Sequence, residues 1–171
     1  VDTGLSNGTP YHYKIYTQDT TGNWSTGVEP IGSPISPGLD TITLGPGSDP
    51  VGGVLSPGAS ATTSDTFTFQ MDSGSDNVLS VTVTTATGTA TALSLVEITN
   101  DAGNTVYGSV ANPTTDVITI PLSMSSIFVT TSLTQYRVRV TPKNHVDMAS
   151  IPSATYYLSS YVSSWKGTFS R

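Results

Sequence analysis

Two-residue alternation of apolar and polar side chains is what most restricts the folds open to this chain. Phe67, Phe69 and Met71 alternate with Thr66, Thr68 and Gln70, and Leu79, Val81 and Val83 alternate with Ser80, Thr82 and Thr84. Successive side chains of a strand point to opposite faces, so each segment has one apolar face and is half-buried in a sheet. Tyr136, Val138 and Val140 repeat the pattern against Arg137 and Arg139, which are expected on the solvent face. No apolar stripe of helical period runs far enough to define a helix. The fold class is therefore expected to be all-β.

Between the alternating segments lie residues that suit turns. The runs DSGSDN at 72–77 and NDAGN at 100–104 each reverse the chain, the second joining 92–99 to 105–110 as a hairpin. Further strands are expected at 41–44, 117–122, 127–129, 136–140 and 156–165, with an irregular Gly- and Pro-rich loop over 45–60. The alternation of Leu93 and Leu95 gives way to Val96 and Ile98, which predicts a bulge at Leu95 and Val96. Eight or nine such strands make a sandwich. Its expected core is Phe67, Phe69, Leu79, Val81, Val83, Leu93, Leu95, Ile98, Ile118, Ile120, Tyr136, Val138 and Val140.

The first thirty residues follow a pattern of their own. After a turn-rich stretch, Tyr11, Tyr13, Ile15 and Thr17 fall on one strand face and His12, Lys14, Tyr16 and Gln18 on the other. A turn at 19–23 then returns the chain from Trp24 to Val28. Leu5, a short Gly-containing turn and Tyr11 six positions later, with GNWS at 22–25, resemble the last two strands of a fibronectin type III domain and its tyrosine corner. Residues 62–165, including LSLVEITNDAGNTVYGSVANP and TQYRVRVTPKNHVDM, resemble immunoglobulin-like modules repeated in large bacterial surface proteins. These resemblances imply a partial fibronectin type III hairpin over 1–29, a Pro/Gly/Ser linker over 30–38 and an immunoglobulin-like antiparallel β-sandwich over 39–171. The linker, with Pro30, Pro34 and Pro37, is expected to be a semi-rigid spacer.

A lone hairpin is marginal in water. Tyr11, Tyr13 and Ile15 would present an apolar stripe, and each side chain contributes about 1.5–3 kcal/mol only when buried. Either sequence upstream of Val1 supplies the covering sheet, or another subunit or the second domain does so by strand addition at an open edge. Tyr11, Tyr13, Ile15, Trp24, Tyr161 and Trp165 are accordingly the candidate interface residues, the last two from a final strand with aromatic side chains on both faces. Along that strand, Tyr157, Tyr161 and Trp165 are expected on one face and Tyr156, Leu158 and Val162 on the other.

Composition narrows the functions. Six Lys and Arg stand against twelve Asp and Glu, a formal charge of −6, which disfavours phosphate-neutralising nucleic-acid binding and docking on an anionic membrane. No apolar run reaches the length of a membrane span. Cysteine is absent, so disulfides, thiolate metal sites and c-type haem are excluded. The 53 Ser and Thr residues, with few Lys, suggest export to the cell surface or beyond.

Catalytic groups do not assemble in the sequence. The two histidines are His12, on an outward strand position, and His145, in a loop two residues from Asp147. Of the two glutamates, Glu29 lies where the hairpin runs into the linker and Glu97 in a strand; neither a nucleophilic triad nor a glycosidase pair is indicated. No catalytic residue and no cofactor are assigned. Asp72, Asp76 and Asp101 are weak calcium candidates that turn chemistry explains equally well. Asn7-Gly8-Thr9 and Asn23-Trp24-Ser25 fit the glycosylation pattern. The expectation is a non-catalytic extracellular structural module, a building block of a filament, surface layer or adhesin, whose partners are further copies of itself or further domains of the same chain. The alternative is a carbohydrate-binding accessory module of a secreted hydrolase, with Trp24, Tyr156, Tyr157, Tyr161 and Trp165 available to stack on sugar.

Overall fold

The computed structural model describes residues 4–5, 9–34, 41–123, 126–149 and 158–168. The chain divides into two compact units, Val1–Leu39 and Asp40–Arg171. Among the described residues no helix is long and apolar enough to cross a membrane.

The second unit is an all-β sandwich of two antiparallel sheets. In chain order its strands are β1 (Ile42–Pro46), β2 (Thr62–Met71), β3 (Asp76–Thr85), β4 (Leu93–Asn100), β5 (Val106–Ala111), β6 (Val117–Pro121), β7 (Ile127–Val129), β8 (Thr134–Pro142) and β9 (Ser160–Gly167). One sheet has the order β1-β2-β8-β4-β5. The other is built on β3, which pairs with β6, β7 and β9. Val78 opposes both Ile127 and Gly167, and Ser80 opposes both Pro121 and Lys166. Thus β6 and β7 lie end to end along one side of β3, and β9 runs along the other.

The alternation read in the sequence explains these elements. On β2 and β8 the inward residues Phe67, Phe69, Tyr136, Val138 and Val140 are buried, while Arg137 and Arg139 lie half-buried on the outer face. Arg137 pairs with Asp101 at 3.0 Å, and Arg139 donates to the carbonyl oxygens of Gly103 and Ala61. The hairpin between β4 and β5 rests on Asn100. Its Oδ1 accepts the amides of Asn104 and Thr105, its Nδ2 donates to Asn104, and Gly103 takes a φ of +72° that a side chain would resist. An aromatic cluster joins the sheets: Phe67 and Phe69 of β2 pack with Tyr136 of β8, Tyr107 of β5 packs edge-on to Tyr136, and Trp165 of β9 packs edge-on to Phe69. Burial, with Tyr107 alongside, pushes the Tyr136 hydroxyl up to about 12. At the other rim β5 approaches β6, and Gly108 is required there because a β-carbon would run into the carbonyl oxygen of Pro121.

The bulges fall elsewhere than the alternation predicts. Leu79, expected in the core, is 44% exposed, whereas Val78 is fully buried. The ladder from β3 to β9 skips Leu79, so Val78 and Val81 both point inward. On β4 the register slips between Leu93 and Leu95, one step earlier than expected. Leu95 is consequently half-buried, and Leu93, Val96 and Ile98 fill the core. The last strand begins at Ser160; Tyr156 and Tyr157 lie outside the described residues.

In the first unit the expected hairpin is present, but as two isolated bridges, Ile15 with Val28 and Gln18 with Trp24, without a continuous ladder. Ile15 and Val28 exchange both amide bonds at 2.9 Å, and Ser25 donates to Thr17. Asp19 forms the turn, accepting from the amides of Thr21 and Asn23 and from both their side chains. Residues 30–33 do not form the expected extended spacer. Ser33 donates its amide to the Pro30 carbonyl in a turn, and its hydroxyl accepts the Tyr13 amide at 3.4 Å. The peptide between Ser33 and Pro34 is cis. The remainder of the linker, and Asn7 and Gly8 of the first glycosylation pattern, lie outside the described residues.

The fully buried Phe69 and the displaced Leu79 give a direct check. Phe69→Ala should cost about 3–5 kcal/mol of unfolding free energy and Leu79→Ala less than about 1 kcal/mol in urea titrations. Comparable losses would show that Leu79 is a core residue after all.

Candidate functional site

Because two of the sandwich rims are closed by packing, the places left for a partner are strand edges and exposed apolar side chains. The six residues expected at an interface divide sharply. In the first unit Tyr11 and Tyr13 are half-buried, whereas Ile15 and Trp24 are 60% and 65% exposed. Val28, across the hairpin from Ile15, and Tyr16 on the other face are exposed as well. The Lys14 ammonium lies 5.7 Å from the Tyr16 ring centre, and the ring covers Gly27, which has a φ of +77° and no room for a β-carbon.

In the second unit Tyr161 is 57% exposed, but Trp165 is half-buried against Phe69. The two do not share a face. Register between β3 and β9 slips after Thr82, leaving Ser163 unpaired, so Val162 and Trp165 both turn toward the core. Trp165 is thereby partly buried and packed against the core, with Tyr161 left on the outer face. There Tyr161 and Val117 flank Thr84 from opposite sides. The Thr84 hydroxyl donates to Ser163 at 3.0 Å, and those of Thr82 and Thr119 are 3.2 Å apart.

The calcium candidates are not brought together. Asp72 accepts the amides of Thr41 and Ser73, which hold its carboxyl below the usual range. Asp76 is buried at the start of β3 and accepts the Asn77 amide. Asp101 is held low by Gln135 and then Arg137. Among the described residues no three His, Asp or Glu side chains are grouped to hold a metal ion. His145 and Asp147 sit in a short 3-10 turn, not on a strand, and Asp147 accepts from Asn144.

Two carboxyls overlooked in the sequence organise the sandwich. Asp116 accepts the amides of Gly88 and Ala90 and the hydroxyl of Thr85, tying down the loop between β3 and β4. Asp65 is only 8% exposed and opposes the buried Val138, so it points into the core face. Its Oδ2 accepts the Val162 amide of β9 at 3.2 Å, and one residue earlier Ser64 accepts a 2.8 Å bond from the Ser160 hydroxyl. Counting back by two from Phe67 would have placed Asp65 on the apolar face. Nothing comparable in the sequence announces Asp116.

These bonds show which side of β9 is which. Among the described residues β9 pairs with β3 alone, and the Val162 amide points away from β3 to meet a side chain. Further along β9, Ser163, Ser164 and Lys166 are exposed, and the Ser163 hydroxyl turns back to Thr82 and Thr84 of β3. The chain matches no protein-family model, no curated protein and no solved structure in the comparisons made.

If Trp165 is a core residue, Trp165→Ala should lower unfolding free energy by about 2–4 kcal/mol, and Tyr161→Ala should leave it within about 0.5 kcal/mol of the parent. Chemical denaturation of the two variants decides the point.

Proposed function

We propose that the chain is a non-catalytic extracellular structural module that joins other copies of itself, or further domains, through strand and sandwich contacts in a filament, surface layer or adhesin. The observation that carries this reading is the outer side of β9, where no strand lies among the described residues. An unpaired strand presents donors and acceptors at the spacing another strand requires, which is the basis of β-augmentation. Tyr161 stands beside this edge as an exposed aromatic anchor of the kind that interfaces favour.

Strand order supports an immunoglobulin-like origin for the second unit. The order β1-β2-β8-β4 is that of strands A, B, E and D in such domains, and β3 beside β9 is C beside F. The place of the next strand, G, is the outer edge of β9. The first unit supports the fibronectin-like reading through its half-buried Tyr11 and its hairpin. Its exposed Ile15, Trp24 and Val28 supply a second apolar surface for association. A Ser/Thr-rich, Lys-poor chain suits an exported role.

Sedimentation velocity over a wide concentration range tests the proposal. Self-association is expected, with slowed amide exchange at residues 163–167, and Tyr161→Asp should weaken it about tenfold or more. A protein that stays monomeric throughout, with those amides exchanging freely, would overturn assembly between copies through β9.

A further inference from the structure

The chain enters and leaves the sandwich at one end. Ile42, the first residue of β1, lies opposite Met71, the last of β2, and Gly167, the last of β9, lies opposite Val78 near the start of β3. The turn at 72–75 joins β2 to β3, so both points sit at the turn end. Hydrogen bonds fix them there. The Thr41 amide reaches Asp72 Oδ1 at 2.8 Å, the Asp72 amide donates to the Thr41 carbonyl, and the Thr168 amide donates to the Asn77 carbonyl at 2.9 Å. β2 begins at the opposite end, where Thr62 faces Val140 of β8. Thr62 and Met71 are the two ends of a ten-residue strand, about 30 Å apart.

Ladder bonds between antiparallel strands run perpendicular to the strands. A pull across the strands from one end therefore opens the bonds one after another, whereas a pull along the strands loads all of them together. Tension between Thr41 and Thr168 is of the first kind, because both lie at the same end. It acts on β1, at the edge of its sheet, and on β9, which among the described residues pairs with β3 alone. Of the two, β1 has the weaker hold. It is five residues long, pairs with β2 alone, buries Ile42 and half-buries Leu44. β9 is eight residues long, buries Val162, sets Trp165 against Phe69 and is bonded through its Val162 amide to Asp65.

We propose that β1 is a tension-released tether: a pull on the chain peels β1 from β2, frees the segment up to Thr62 and then stops. The stop comes from strand direction. Once β1 has left, the load enters at Thr62, at the end opposite Thr168, and runs along β2 and β9, whose ladders with β8 and β3 then resist as a whole. The freed segment is 42–61, about 70 Å of extended chain. Little besides β1 holds it. Residues 48–54 are exposed throughout, and a β-carbon at Gly52 or Gly53 would meet nothing within 4 Å. Its fastenings are the amides of Gly47, Ser48 and Gly58, given to the Thr66 carbonyl, the Gln135 side chain and the Lys143 carbonyl, together with Asp49 on Thr66 at 3.4 Å and the half-buried Leu55. A filament or surface layer is where such tension arises, so the use of the tether rests on the assembly proposed above, but the release is a property of one chain.

Stretching single chains between handle domains fused to both ends tests the tether. An early step of about 70 Å is expected, followed by rupture of the sandwich at about threefold the force or more. Thr43→Cys with Gln70→Cys, at facing exposed positions of β1 and β2 in a chain that has no cysteine, should remove the early step when oxidised and restore it when reduced. Any extension of the first unit is the same in both states. Ile42→Ala should lower the force of the early step and leave the later rupture unchanged, and it carries the test alone if the disulfide does not close. Opening of the parent sandwich in one event, or an early step that persists after mass spectrometry has shown the disulfide closed, would overturn the proposal. Molecules held singly cannot associate, so failure here is distinct from a failure of self-association in sedimentation.

Discussion

The ladder bonds made by β3 on both its sides are the constraint on which the sandwich depends. Among the described residues β6, β7 and β9 pair with β3 and with no other strand, so the second sheet exists only while β3 is straight and paired. Val78, Val81 and Val83 are all fully buried, which fixes the strand by its side chains as well. A one-residue slip would move every later side chain to the wrong face. The extra residue, Leu79, absorbs that slip locally: it gives up burial so that Val78, beside Ile127 of β7, and Val81, beside Ile120 of β6, both face the core.

The same accommodation recurs on the partner strands. Ser163 on β9 is left out of register, which turns both Val162 and Trp165 inward and lets Trp165 meet Phe69 across the sandwich. Ser64, at the slip between Thr63 and Asp65 on β2, sits where β2 and β9 approach, and its hydroxyl and the Asp65 carboxyl meet the side of β9 that lacks a strand. Two of the slips, at Ser64 and Ser163, therefore fall on the strands that meet at the rim where the sheets are joined by side chains and not by backbone ladder. An inward-pointing acid at such a rim discourages indiscriminate edge pairing, so the part of β9 open to a partner is confined to the end beyond Val162.

The polar groups follow a consistent division of labour. Asp19, Asp72, Asp101 and Asp116 each satisfy amides or side chains of a neighbouring loop or turn, and hydrogen bonds hold all four below the usual carboxylate range. Asp65 alone among these shifted acids moves upward, because burial first and the charge of Asp49 second disfavour its ionised form.

What the sequence determined by itself was whatever is set by neighbours within a few residues. The all-β class, the inward faces of β2 and β8, and the Asn100 hairpin follow from period-two alternation and from turn residues whose side chains cap their own backbone. Ile15, Trp24 and Tyr161 stood out in the sequence as aromatic or apolar residues in alternating segments, but which of them is exposed followed only from the structure. The tertiary structure decided the rest. Whether Leu79 or Val78 is buried, and whether Trp165 is an anchor or a core residue, depends on a one-residue slip against a strand some eighty positions away. Alternation specifies that two faces exist, and only pairing with a distant partner specifies which residue is skipped. Asp65 lay on the apolar phase of its own strand, yet its bond to the Val162 amide required β9 to reach it from a distant part of the chain.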